Sequence, residues 1–217
     1  MYRQIRELRL LIKRHRYRSQ IERRIADVYG RGSTQYQVLL TTLDQVVKTH
    51  DNGRRRNGEL LKSHEFSMFA IAFVYCNIRD VLILLSILLH DMMEDYPAVW
   101  SYERIRQMYG EEVAKIVFAL TKPDAHHFSD QNTYEQAVFA RVREGGEKAL
   151  TVKCIDRLHN MLTLYGDAEK QHAKVLQTVK YVLPMTVERQ FLTYELTLAT
   201  AEQMSLLRMK QREGGSG

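Results

Sequence analysis

The chain has 217 residues, a formal net charge of +6 and 45% hydrophobic residues, enough for one domain with a buried core. Only three prolines and eleven glycines interrupt it, and the abundance of Leu, Ala, Arg, Glu, Met and Gln favours helices throughout. No apolar run approaches the roughly 20 residues of a membrane span, the first residues are too charged for a secretory signal, and Cys76 and Cys154 are too few for a disulfide framework. The expectation is a cytoplasmic protein with no membrane contact.

Residues 1–30 hold nine Arg or Lys against Glu7, Glu22 and Asp27. That excess of six equals the whole formal charge, so residues 31–217 balance to zero. The same stretch carries Ile5, Leu8, Leu11, Ile12, Ile21, Ile25 and Val28 at helical spacing and ends at Gly30, a candidate C-cap. It reads as one or two amphipathic helices with a solvated basic face. A docking surface for RNA or an acidic partner is the sharper alternative. The chain therefore divides into a basic N-terminal segment, 1–30, a helical domain, 31–212, and a linker-like tail, 213–217.

Ser33 or Thr34 can cap a helix running through Val38, Leu39, Leu43, Val46 and Val47. Residues 50–58 then read as a loop, with Arg54-Arg55-Arg56-Asn57 able to clamp a phosphate or a base. A third helix, about 60–76, places His64 among its core-side positions, Leu61, Phe66, Phe69 and Phe73. A fourth, about 78–91, is almost wholly apolar until it delivers His90, Asp91, Glu94 and Asp95 within six positions. If the helix continues, His90 lies above Glu94 and Asp91 above Asp95.

Ser101 begins a fifth helix, and Gly110 separates it from a sixth through Val113, Ile116, Val117 and Leu120. Residues 123–132 are the longest irregular stretch, and His126 and His127 within it read as solvated. Helices follow at about 133–144, stopped by Gly145-Gly146, then at 149–162, 167–182 and 184–211, with Pro184 in the first turn of the last. On the 149–162 helix, Asp156, Asn160 and Thr163 share one side. No internal repeat is present.

An imidazole or a carboxylate at the end of a buried element needs a compensating partner. Two imidazoles and two carboxylates suit a divalent transition metal and leave room for water and a phosphate oxygen. The order His64, His90-Asp91, Asp156, each on its own helix, resembles the HD metal-dependent phosphohydrolases. Leu88-Leu89-His90-Asp91-Met92-Met93-Glu94-Asp95 is similar to the LLHD-x-x-ED motif of RelA/SpoT-type alarmone hydrolases. Ile105 to Lys122 and Lys153-Cys154-Ile155-Asp156-Arg157-Leu158-His159-Asn160-Met161 resemble two further segments of that family.

The resemblance implies an all-α HD-domain helical bundle, a small, hydrolase-only member of the family. It implies one Mn²⁺ ion per chain on His64, His90, Asp91 and Asp156, with Glu94 and Asp95 orienting and deprotonating water. Arg55, Arg56 and Asn57 would meet the base, Asn160 and Thr163 the nucleoside, and Tyr181, with Lys174 or Lys180 nearby, the 5′-phosphates. The implied reaction removes 3′-pyrophosphate from (p)ppGpp-type nucleotides, guanosine or adenosine. Two alternatives stay open: an antitoxin-like hydrolase acting on the 3′-pyrophosphate of tRNA CCA ends, with a cognate toxin as partner, and a non-catalytic nucleotide-binding regulator. The chain departs from the family pattern at Glu65 and Leu60, where prolines are usual, and at Asn57 and Leu162.

Overall fold

The computed structural model describes residues 3–51, 53–54 and 60–214. Among them are thirteen α-helices and no β-strand beyond a single bridge between Arg54 and Leu60. Ahead of the loop at 50–60 come α1 (Arg3–Arg14), α2 (Arg18–Tyr29) and α3 (Thr34–His50). The middle holds α4 (Ser63–Ala70), α5 (Val81–Leu89), α6 (Met92–Asp95), α7 (Tyr102–Tyr109), α8 (Glu111–Leu120) and α9 (Gln131–Glu144). The remainder is α10 (Gly146–Leu162), α11 (Ala168–Gln177), α12 (Leu183–Arg189) and α13 (Thr193–Gly214). No helix among the described residues is long and apolar enough to cross a membrane.

Three inner helices organise the rest. Every residue of α10 from Thr151 to His159 is buried, as is every residue of α4 from His64 on and of α5 from Leu84 on. A helix buried all round needs outer helices to cover it. Accordingly α10 packs against α4, α5, α8, α9, α12 and α13. The site residues thus ride on elements locked from all sides.

Several starts follow capping chemistry in the sequence. The Ser33 hydroxyl accepts from the Tyr36 N–H at 3.0 Å, and Ser101 accepts from Arg104 at 3.2 Å. Asp80 accepts from Leu82 at 2.9 Å, so α5 begins at Val81 rather than near 78. Gly145 does more than stop a helix. A Cβ there would stand 2.4 Å from the Ala119 Cβ and 2.8 Å from the Ala149 Cβ, so glycine lets α8 press against the α9–α10 junction. The next helix starts at once, at Gly146, where φ is +75°.

Three expected helices are interrupted. The one expected over 60–76 is α4 followed by a π-helical turn, Ile71–Tyr75, and the one over 167–182 is α11 followed by another, Thr178–Val182. The helix expected over 184–211 breaks after Arg189, because Gln190 (φ 50°) and Leu192 (φ 57°) turn left-handed. That turn buries Leu192 and redirects the chain into α13.

The basic segment shares this core. Ile5, Leu8, Ile12, Ile21 and Ile25 belong to the same cluster as the inner helices. Arg9 forms a bidentate pair with Glu202 on α13, at 3.0 and 2.8 Å. Arg6, Lys13, Arg14, Arg23 and Arg24 face solvent.

Candidate active site

His64 comes from the first turn of α4, His90 closes α5, Asp91 opens α6, and Asp156 sits mid-way along α10. The helix does not continue from His90 through Asp95, as the sequence allowed: α5 ends at Leu89 and α6 is a separate turn. The break still gathers the four groups. The His64 Nε2 lies 3.5 Å from Asp156 Oδ1 and 3.9 Å from Asp91 Oδ2, and the His90 Nε2 lies 3.1 Å from Asp91 Oδ2. Ligand atoms of His64, His90 and Asp156 all fall within 4.8 Å of one another.

Neighbouring groups aim these atoms. The His90 Nδ1 is 2.9 Å from the Ile87 carbonyl. A ring that donates from Nδ1 keeps its Nε2 lone pair for a cation. The His64 Nδ1 meets the His159 Nδ1 at 2.8 Å, which orients His64 from behind. Asp156 accepts from the Lys153 ammonium at 2.9 Å and from the Asn160 amide at 2.5 Å. The His90 Nε2 is buried and faces the Asp91 carboxylate. Two imidazole nitrogens and two carboxylates at these separations fit a divalent metal ion.

The electrostatics agree. Burial works against the charge on Asp156, yet Lys153, His64 and His90 hold its carboxyl well below the usual range. Burial lowers His90, but the Asp91 carboxylate outweighs it and the imidazole rises to about 9. Asp91 is likewise held down by His90 and His64 against its burial. Such a cluster keeps its carboxylates ionised at neutral pH, and a cation can replace the imidazole protons.

These groups open onto a cavity of about 240 Å³ lined by both acids and bases. Asp91, Glu94 and Asp156 are the acids, Lys122, Lys153, Arg157 and Lys174 the bases, with Lys153 paired to Asp156 and Lys122 to Glu94, and Tyr134 and Phe139 line it too. Glu94 receives the Lys122 ammonium, and the Lys122 N–H at 3.3 Å. Asp95, the other expected catalytic acid, stands exposed at the end of α6. Partial burial of its carboxyl, then Asp91 and Glu94, raise its pKa.

The expected nucleotide contacts separate. Asn160 lines the cavity and, with Thr163, an adjoining hollow of about 190 Å³ that also reaches Lys174. Tyr181 stacks on Phe139 at 4.5 Å, behind the wall that Phe139 forms. Lys180 pairs with Asn132 at 2.7 Å. Arg55, Arg56 and Asn57 lie outside the described residues.

Sequence reasoning assigned no role to the basic residues Lys122, Lys153 and Arg157 or to His159. All four sit inside the quoted motifs, so the signal was present. It also missed a buried chain behind His64: Glu65 meets the His50 Nε2 at 3.0 Å, and the His50 Nδ1 meets the Tyr96 hydroxyl at 2.9 Å. Burial opposes ionisation of Glu65, but the hydrogen bond from His50 wins and its pKa is lowered.

Residues 43–182 match the profile of the HD domain. The chain belongs to the HD-domain family. Within it, the chain is 31% identical over 121 residues to the bifunctional (p)ppGpp synthase/hydrolase SpoT of Escherichia coli K12, covering 53% of this chain and 16% of that protein. It is 27% identical over 139 residues to the guanosine-3′,5′-bis(diphosphate) 3′-pyrophosphohydrolase of Aquifex aeolicus, covering 63% and 19%. This HD protein thus spans less than a fifth of the length of those relatives. A solved structure described as a metazoan ortholog of SpoT that hydrolyses ppGpp superposes with a TM-score of 0.65 at 19% identity, covering 79% of this chain and 96% of that one. At that identity the likeness establishes the shared helical fold.

Proposed function

We propose that this HD protein is a metal-dependent hydrolase that removes 3′-pyrophosphate from ppGpp-type nucleotides. The observation that carries the reading is a two-histidine, two-carboxylate cluster opening onto the same cavity as Lys122, Lys153, Arg157 and Lys174. A metal cluster with several cations around it suits a substrate that carries more than one phosphate. The names of the relatives from E. coli and A. aeolicus and of the metazoan structure agree with that chemistry.

His64, His90, Asp91 and Asp156 would hold a divalent ion of the Mn²⁺ class. When bound, that ion supplies charge neutralisation at phosphate oxygens and activation of water. The Glu94 carboxylate lies where it can accept the water's proton, with Asp95 beside it in sequence. Attack on the phosphorus joined to the 3′-oxygen then releases pyrophosphate, and a proton passes to the 3′-oxygen. Lys122, which grips Glu94 in the described state, can exchange it for a phosphate oxygen and free the carboxylate. Lys153, Arg157 and Lys174 neutralise the remaining phosphates, while Asn160 and Thr163 line the nucleoside side. Residues 1–30 flank this machinery, and Arg55, Arg56 and Asn57 complete the base contact.

A tRNA 3′-end is a second reading, favoured by the solvent-facing cations of α1 and α2. Release of pyrophosphate from ppGpp, pppApp and 3′-pyrophosphorylated tRNA, each with Mn²⁺ and with a chelator, tests both. Metal-dependent release from a free nucleotide is expected. Release from tRNA alone would favour the second reading, and release from none of the three would refute both.

A further inference from the structure

A second cavity, of about 700 Å³, opens between α7, α8 and α9. It is larger than the active-site cavity and shares no lining residue with it. Its walls are unusual for a helix surface. The Phe118 ring, on the outer face of α8, is 45% exposed. Tyr102 meets that ring edge-on at 5.8 Å, and the Arg141 guanidinium lies 4.7 Å from its centre. Lys115, paired with Glu111 at 3.3 Å, and Glu144 complete the lining. Arg141 has no carboxylate partner among the described residues. Its guanidinium donates to the Thr121 carbonyl, at 3.0 Å.

An exposed aromatic ring capped by a guanidinium without a carboxylate partner suits a flat ring that carries an anion, which would draw the guanidinium off the Phe118 face. The ring stacks on Phe118, and the anion takes the guanidinium donors that Thr121 leaves over. The cavity is large enough for a nucleoside monophosphate. Thr121 also precedes Lys122, whose N–H and ammonium both hold Glu94. A ligand that draws Arg141 outward therefore pulls on the backbone next to the active-site acid. We infer that this cavity is a second ligand site, for an aromatic anion of nucleotide size, linked to the active site through Arg141, Thr121 and Lys122.

The binding arm is independent of the hydrolytic reading. AMP is titrated calorimetrically into the full chain carrying Asp156→Asn in the presence of chelator, which disables the metal cluster. Saturable binding is expected to persist there, and to weaken about tenfold in Phe118→Ser and in Arg141→Gln. Phe118 is exposed and Arg141 is half-buried, and circular dichroism will establish that both variants keep the fold. Inorganic phosphate, which lacks the ring, is expected to compete poorly. The link is read from the Lys122 amide in protein labelled with ¹⁵N-lysine and assigned with Lys122→Arg: AMP should shift it in the parent and leave it still in Arg141→Gln. No binding by AMP, binding abolished by Asp156→Asn, or binding indifferent to Phe118→Ser would overturn the site. A Lys122 amide that ignores bound AMP would overturn the link.

Discussion

Lys122 reaches Glu94 through both its backbone and its side chain, which singles out Glu94 among the nearby acids. Glu94→Gln keeps the volume and removes the basic oxygen, so turnover should fall about 10²–10⁴-fold with metal content preserved. Single-turnover hydrolysis alongside metal analysis checks this, and unchanged turnover would take Glu94 out of the mechanism. Lys174 is a second informative residue. Burial, then Arg157 and Lys153, lower it from 10.5 to about 7. The unfolded chain therefore takes up this proton first, and stability declines as pH drops from 10.5 towards 7, then levels off. Lys174→Met should raise the urea midpoint more at about pH 6 than at about pH 10. A gain equal at both would show that the lysine carries no such penalty. The gathering of His64, His90, Asp91 and Asp156 was legible because His-Asp adjacency at the end of an apolar run has few structural uses. His159, Glu65 and Lys122 were not, since their contacts span 95, 15 and 28 positions of chain: His64–His159, His50–Glu65 and Glu94–Lys122.

At the scale of elements, polar caps and glycines marked most boundaries, and Ser33, Ser101, Gly110 and Gly145 fall where the sequence put them. Left-handed turns built without glycine escaped. Gln190 adopts φ 50° and ψ 39°, a conformation that costs a side chain about 1 kcal/mol and glycine almost nothing. Gln190→Gly should thus stabilise the α12–α13 corner by up to about 1 kcal/mol, after the added freedom of the unfolded glycine is discounted. Chemical denaturation measures it, and a loss of stability would mean that the Gln190 side chain makes a contact of greater value. The two π-helical turns were equally silent, because periodicity over a dozen residues averages out one extra residue.

The whole molecule distributes charge and hydrophobicity along different axes. All the net charge lies in residues 1–30, yet the apolar side of that segment is built into the common core. Arg6, Lys13 and Arg14 face water, whereas Arg9 and Arg18 are tied to Glu202, Glu22 and Asp44. Replacing the first three by Gln leaves packing and ion pairs in place. Hydrolysis of a free nucleotide should then change less than about threefold, ~0.7 kcal/mol. A tRNA substrate would instead bind more weakly, with a flatter salt dependence. Initial rates on both substrates at two salt concentrations separate the cases, and collapse of nucleotide hydrolysis in a folded variant would bring the basic helices into the active site. The helical class was legible from composition alone. The sharing of one core was not, because an amphipathic helix does not announce which surface it will cover.

The π-helical turn at Ile71–Tyr75 also sets the tolerance of this chain to insertions and deletions. An α-helix advances roughly 100° per residue, so the extra residue held there fixes the phase between α4 and everything after it. Loss of one residue from that turn would let α4 run on as regular helix, at no cost in hydrogen bonds. It would also rotate His64 by about a quarter turn away from His90 and Asp156. Deleting Ala72 should therefore leave far-ultraviolet helicity nearly intact while abolishing metal binding. The same deletion in the solvated loop around Ala98 should leave both helicity and metal binding intact.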